Sequence, residues 1–167
     1  DRSPSRGLGD VYKRQVHYVI EFCYEKGIKI VLNPAPAAAV PMEIIDKVTY
    51  VTPNEHEAVL IFGDELSTED LLRKYPEKLV ITQGSRGVST CLKDGQILNV
   101  PARKAQVVDT TGAGDTLNGA FSVQIAEGKA IEDALAYANV AASLSTEKFG
   151  AQTGMPTAEE VETELKK

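Results

Sequence analysis

The sequence predicts an α/β fold, a Rossmann-like three-layer sandwich with a mostly parallel sheet, and three observations carry that expectation. Short apolar runs ending at Leu32, Val51, Ile81 and Val108 alternate with segments of helical period. A small-residue turn, Asp109-Thr110-Thr111-Gly112-Ala113-Gly114-Asp115, joins the last run to a segment whose apolar residues recur at Leu117, Ala120, Phe121 and Ile125. Finally, Asn33, Asn54, Glu55, Gly84, Gly87, Gly112, Gly114 and Asp115 all follow such runs. Ligands gather beyond the carboxyl ends of the strands in open parallel sheets.

Residues 1–15 crowd Arg2, Pro4, Arg6, Gly7, Gly9, Lys13 and Arg14 into a stretch without helical or strand period. They are expected to be a foreign or disordered tail, similar to translated adapter DNA joined to a shortened reading frame. Residues 16–167 are then expected to be the carboxyl-terminal part of a longer domain. Val16, Val19, Ile20 and Cys23 can line one face of a helix over 16–26, which Gly27 ends. A buried strand over 28–32 runs into Asn33-Pro34-Ala35-Pro36-Ala37, where two prolines exclude helix and ladder alike. A strand is expected over 47–51, a helix from Thr52-Pro53-Asn54-Glu55 to about 62, and a helix over 67–74 capped by Ser67 with Glu69 and Asp70 in its first turn. The next strand, 78–82, leads into Gly84-Ser85-Arg86-Gly87, and 88–92 with 97–100 form a hairpin around Asp94-Gly95. Residues 106–108 should return to the central sheet before a helix over 115–127. An alanine-rich helix over 131–147, a loop over 150–156 and a polar helix over 157–165 capped by Thr157 complete the chain.

A chain of 167 residues suggests one domain with a substantial core. Its net charge of −6 argues against a nucleic-acid backbone as partner. Cys23 and Cys91 lie far apart in apolar stretches and read as buried free thiols. No run is apolar enough to span a bilayer and no signal-peptide pattern occurs, so a cytoplasmic protein without a membrane partner is expected. His17 and His56 are widely separated and lack a third soft ligand, which argues against zinc. The chain has neither a Gly-x-x-x-x-Gly-Lys-Ser/Thr loop nor a Gly-x-Ser-x-Gly elbow.

The glycine turn before a helix is an anion site, because several backbone N–H groups point to one place at a positive helix end. Asp115 stands in that cradle. Such a carboxylate, held ionised by N–H groups and helix dipole, could take a proton from an alcohol while the same N–H groups stabilise a transferring phosphoryl group. The competing reading is an ordinary cap before a surface helix. Asn54 and Glu55 admit two readings as well, helix capping or contact with a phosphate and the water shell of Mg²⁺. Gly84 and Gly87 admit two readings too, simple turn glycines or, with Arg86 near by, an 82–87 turn that receives a nucleotide's phosphates or ribose. Asp109 either stiffens its own turn or holds a monovalent cation with carbonyls of Thr111 and the later loop.

Taken in order, Asn33-Pro34-Ala35-Pro36-Ala37, Thr52-Pro53-Asn54-Glu55, Thr82-Gln83-Gly84-Ser85-Arg86-Gly87, Asp109-Thr110-Thr111-Gly112-Ala113-Gly114-Asp115-Thr116 and Gly150-Ala151-Gln152 resemble the PfkB carbohydrate kinase family, in its ribokinase branch. The resemblance covers nearly everything after residue 15 and matches only the carboxyl half of the usual family member. It implies a ribokinase-like fold truncated at the amino-terminal side and an ATP-dependent phosphorylation of D-ribose at O5.

By that resemblance Asp115 is the catalytic base and meets the sugar, and the N–H groups of Gly112, Ala113, Gly114 and Asp115 form the anion hole. Asn54, Thr82, Gln83, Gly84, Ser85, Arg86, Gly87, Gly114, Asp115 and Asn139 match ATP-binding positions. Glu55 matches a residue that supports Mg²⁺ through water. Asp109, Thr111, Ser145, Lys148, Gly150 and Gly154 match a K⁺ site. Gly154 departs from the serine common there, a change that a carbonyl contact survives and a hydroxyl contact does not. The implied partners are ATP and D-ribose, with a possible homodimer of the full-length protein. The competing functions are another sugar or nucleoside kinase of the family, such as a fructokinase, and a non-catalytic nucleotide-binding fragment. The half present here lacks the lid and most of the sugar-contacting residues that the family uses.

Overall fold

The computed structural model describes residues 4–35 and 40–167. Pro36 and Ala37 of the expected proline loop, and residues 1–3 of the expected tail, lie outside the described residues. Helix α1 (Pro4–Glu25) is followed by strand β1 (Val31–Leu32), helix α2 (Met42–Lys47), strand β2 (Tyr50–Val51) and helices α3 (Glu55–Phe62) and α4 (Thr68–Lys74). Strand β3 (Val80–Thr82), a 3-10 turn (Gly84–Arg86), strands β4 (Val88–Cys91) and β5 (Ile97–Val100), and helices α5 (Ala113–Ala126), α6 (Ile131–Ser145) and α7 (Ala158–Leu165) complete the order.

The sheet has a parallel and an antiparallel part. β1 pairs in parallel with β2, and parallel bridges Val51–Leu79 and Asn54–Thr82 carry the arrangement on to β3. β3, β4 and β5 then form an antiparallel meander, with Val88 opposite both Thr82 and Val100. The expected hairpin around Asp94-Gly95 is therefore present, and Gly95 takes the positive φ of 86° that its turn needs.

Side chains on successive strand residues point to opposite faces, and the two faces fill separate cores. Val51, Leu79 and Ile81 meet Ile20, Ile44, Ile45, Ala58, Leu71 and Leu72 from α1 to α4. On the other face Val80 and Val88 meet Leu117, Phe121, Ile125, Leu135 and Ala138 from α5 and α6, with Tyr50 and Val31 packed at the margin. This is the helix–sheet–helix sandwich that the alternation of apolar runs predicts. Small residues Ala134, Ala138 and Ala141 are buried and let α5 and α6 lie close together. Phe121 is fully buried and its ring meets Tyr50 edge-on, centroids 5.1 Å apart at 82°. Replacing Phe121 with leucine removes that aromatic contact and part of the packing, and should cost about 1–2 kcal/mol in a urea unfolding titration. An unchanged midpoint would contradict this account of the second core.

Several expectations fail, among them the buried strand over 28–32, which is only Val31–Leu32 and half-buried. The segment from Pro4 is helical and continuous with the helix expected from residue 16. Pro4 is tolerated in a first turn, where its missing N–H has no acceptor to lose, and extending a helix already nucleated downstream is cheap enough to absorb Gly7 and Gly9. The strand expected over 47–51 is only Tyr50–Val51, because Lys47 ends α2 (Met42–Lys47), whose Ile44 and Ile45 are buried. Residues 106–108 do not return to the sheet. Val107 and Val108 are 62% and 61% exposed, and the Val108 and Asp109 N–H groups donate to the Thr146 carbonyl at 2.8 and 3.1 Å. The orphan carbonyl just beyond α6 takes the role that a neighbouring strand was expected to play.

Candidate active site

The carboxyl ends of β1, β2 and β3 and the start of α5 meet at one edge of the sheet. Asn54 lies just beyond β2 and caps α3. Its Oδ1 accepts from the Glu57 N–H at 2.9 Å while the Glu57 carboxylate accepts from the Asn54 N–H at 2.8 Å. The capping reading of Asn54 is thus realised, through the buried Glu57 and not Glu55. Asn54 Nδ2 has no hydrogen-bond partner among the described residues and remains available to donate outward.

Beyond β3 the chain folds into the 3-10 turn. Gln83 N–H donates to the Gly87 carbonyl at 2.8 Å and Gly87 N–H to the Gly84 carbonyl at 3.0 Å, so the turn closes on itself. The Gln83 side chain accepts from Ser89 Oγ at 2.7 Å, which turns it toward β4. Arg86 Nη2 lies 2.5 Å from both oxygens of Glu55. Two residues assigned separate roles from sequence, one toward Mg²⁺ and one toward a nucleotide, are therefore bonded to each other across the mouth of the site. Thr82 N–H donates to the Pro53 carbonyl at 2.9 Å and fixes this turn beside Asn54.

The glycine turn builds the cradle as its spacing demands. Gly112 is the residue before α5 and takes a left-handed conformation, φ 80° and ψ 2°, that an L side chain resists. α5 begins at Ala113, two residues earlier than expected, so Asp115 is the third residue of the helix and not its cap. The Ala113 N–H is directed to the Thr110 carbonyl at 3.2 Å. The N–H groups of Gly112, Gly114 and Asp115 have no intramolecular acceptor among the described residues. These free donors stand at the positive end of a helix of 14 residues. The Asp115 side chain is exposed and, among the described residues, accepts no hydrogen bond.

Two residues not singled out in the sequence hold this turn against the sheet. Asn118 Nδ2 donates to the Gly114 carbonyl at 2.8 Å, and its Oδ1 lies 2.5 Å from the buried Thr52 Oγ1. The available signal was an asparagine one turn into an otherwise good helix, a position where it disfavours the helix unless its side chain is used.

Asp109 joins the turn to the later loop. Its Oδ1 accepts from the Thr111 N–H and its Oδ2 from the Gly150 N–H, both at 2.9 Å. Hydrogen bonds from Thr111, then from Gly150, hold its carboxyl below the usual carboxylate range. A Cβ placed on Gly154 would lie 2.7 Å from the Ser145 and Gly150 carbonyl oxygens and 3.4 Å from that of Lys148. Three hard oxygens thus converge on one small space next to Asp109, a donor set suited to a hard cation. The Lys148 ammonium itself turns away to Glu160 at 2.9 Å. Asn139 is buried under the 100–101 loop, where its Nδ2 donates to the Pro101 carbonyl at 2.7 Å and to that of Val100 at 3.3 Å. The structure therefore brings Asn54, the 82–87 turn, the 112–115 cradle and the Asp109 group to one edge, and leaves Asn139 beneath it as a support.

Residues 12–158 match the family model described as pfkB family carbohydrate kinase. A ribokinase of Bacillus subtilis is 50% identical over 153 residues, which cover 92% of this chain and 52% of that protein. A ribokinase of Lactococcus lactis is 50% identical over 149 residues, covering 89% and 49%. Among solved structures, a Thermotoga maritima ribokinase superposes with TM-score 0.77 at 35% identity over 87% of this chain and 52% of that one. An Arabidopsis thaliana ribokinase complexed with ribose and ATP superposes with TM-score 0.79 at 30% identity, covering 89% and 51%. The chain spans about half the length of the curated relatives it matches. The family model matches most of the chain, over the residues that carry the cradle and the turns around it, and the chain belongs to the pfkB family of carbohydrate kinases.

Proposed function

We propose that the protein to which this chain belongs transfers the γ-phosphoryl group of ATP to O5 of D-ribose, giving ADP and D-ribose 5-phosphate. The observation that carries this reading is the exposed Asp115 carboxylate, without a hydrogen-bond partner among the described residues, beside the Gly114 and Asp115 N–H groups, which likewise have none there, at the start of α5. Asp115 takes the proton from the O5 hydroxyl as the new P–O5 bond forms and the bond to the ADP oxygen breaks. The N–H groups of Gly112, Gly114 and Asp115 bear the charge on the phosphoryl oxygens, so catalysis is positioning and electrostatic stabilisation. Asn54 Nδ2 and the 82–87 turn receive the nucleotide, with Arg86 exchanging Glu55 for phosphate. Asn139 acts on the nucleotide side through the 100–101 loop.

Glu55 would hold Mg²⁺ through its water shell once Arg86 is drawn away. Asp109, with the carbonyls of Thr111, Ser145, Lys148 and Gly150 around Gly154, would hold K⁺. Such cations supply positive field at the phosphates and beneath the cradle. The reading extends to a cytoplasmic enzyme and to a homodimer of the full-length protein. Among the described residues no helix is long and apolar enough to cross a membrane.

A second reading, nucleotide binding without catalysis, is favoured by the way Asn54 and the 82–87 turn lie together at one strand edge, bridged through Asn54 and Thr82. One pair of measurements separates the two. The chain is assayed for ATP binding, and a chimera in which it replaces the matched half of the Bacillus subtilis ribokinase is assayed for ribose-dependent ADP formation. ATP binding by the chain together with turnover by the chimera is expected. A chimera that folds and binds ATP yet forms no ADP with ribose would sink the ribose reading, and a different sugar restoring turnover would name the true acceptor.

A further inference from the structure

Between β5 and the glycine turn the chain runs as a loop over 101–112, and this loop is tied down at spaced points. At its start Asn139 holds the Val100 and Pro101 carbonyls. At its end the Val108 and Asp109 N–H groups bond the Thr146 carbonyl, and Asp109 bonds Gly150. In the middle Arg103 forks: Nη1 donates to Glu147 just beyond α6 and Nε to Glu164 on α7, both at 2.8 Å. The same Glu147 oxygen accepts the Gln106 N–H at 3.2 Å. The three side chains are only 25%, 28% and 17% exposed, so this pairing is better shielded than the surface pairs elsewhere in the chain. Hydrogen bonds donated to Glu147 and then to Glu164 raise the Arg103 pKa above its ordinary value, as two carboxylates on one guanidinium should. Open clefts lie on both sides of the fork, each of about 390 Å³.

We propose that Arg103 is a positioning residue that couples the closing helix α7 to the cradle: Glu164 and Glu147 hold Arg103, Arg103 and Glu147 hold the 103–106 segment, and that segment sets the Val108–Asp109 geometry from which the Gly112–Asp115 turn springs. Glu164 lies far from the cradle in sequence yet acts on it through a single side chain. α7 keeps its own anchor in the buried Val161 and its own cap at Thr157, so the helix survives loss of the fork. The role given to the cradle rests on the phosphoryl-transfer reading, but the coupling itself does not.

The test is hydrogen exchange of the chain with Arg103→Leu, Glu164→Ala, the double variant, and Arg103→Lys. Each single variant is expected to speed exchange of the Gln106, Val108, Asp109, Thr111 and Gly150 amides by about tenfold while α5 and α6 interiors keep their rates. The double variant should add little to either single one, because one link is broken twice. Arg103→Lys, which keeps charge but not the fork, should fall between. ATP affinity should weaken about threefold to tenfold in the same order. Unchanged rates at those amides would overturn the proposal, as would acceleration spread evenly over α5 and α6, which would mark a general loss of stability. If the unaltered chain binds no ATP, its reading as a nucleotide-binding half fails, the chimera still decides phosphoryl transfer, and the amide rates alone still decide the coupling.

Discussion

Asp115→Asn is expected to lower ribose-dependent turnover by about a thousandfold in the chimera described above, while ATP binding is kept or slightly tightened. Positioned proton transfer contributes on the order of 10² to 10⁴ in rate, and a thousandfold loss corresponds to about 4 kcal/mol of barrier. Asparagine has nearly the shape of aspartate, and position 115 is inside the first turn of α5 with no hydrogen bond to lose among the described residues. The backbone donors of the cradle should therefore stay where they are. What changes is charge: the amide cannot accept the O5 proton, and a carboxylate no longer stands beside the phosphates. The two effects pull in opposite directions on two observables, which makes the result hard to imitate by damage to the fold. A variant with unchanged turnover would remove Asp115 from the chemistry, and one that lost ATP binding in step with turnover would reassign it to holding the cradle together.

What the sequence made legible is what local chemistry decides. Ser67 and Thr157 cap their helices, Gly95 turns its hairpin and Gly112 takes the left-handed conformation before α5, because each choice depends on a few neighbouring residues. The alternation of apolar residues along β2 and β3 divides the core into two layers for the same reason. The cradle too was visible, since glycines, a helix start and a carboxylate occur together in one stretch. What escaped was pairing at a distance. Glu55 meets Arg86 across 31 positions, Thr52 meets Asn118 across 66, and Arg103 meets Glu164 across 61, and no periodicity encodes those meetings. Residues 106–108 have the look of a strand because valine suits strands, yet the acceptor that decided their path is the Thr146 carbonyl, brought there by α6. Asn54 shows a subtler case. A capping role and a ligand role are read from sequence as alternatives, whereas the structure gives Oδ1 to the cap and shows no partner for Nδ2 among the described residues, so the cap does not exclude the proposed contact.

Gly87→Ala is expected to destabilise the fold by about 3 kcal/mol or more, lowering the melting temperature by roughly 6–12 °C for a chain of this size. Two separate penalties meet there. Gly87 has φ 94° and ψ −138°, a region that L residues avoid. A Cβ at this position would also run into the Val100 carbonyl and lie 2.7 Å from the Ala102 nitrogen and 2.8 Å from the Pro101 carbonyl carbon. All three obstacles are backbone, and neither side can give way cheaply. Val88, the next residue, is paired with Val100 in the β4–β5 ladder, and the Val100 and Pro101 carbonyls are held from below by Asn139. Relief would require parting the 82–87 turn from the 100–102 segment, which pulls the proposed nucleotide turn away from the loop leading to the cradle. Gly95 supplies the control, for it has φ 86° and nothing within 4 Å of a built Cβ, so Gly95→Ala carries the conformational penalty alone, about 1 kcal/mol. Thermal unfolding of the two variants side by side measures, as their difference, the contact penalty together with the extra backbone strain of the Gly87 conformation. Equal losses would show that the 82–87 turn can move without strain, and the close approach of these two segments would then not be what fixes the nucleotide side of the site.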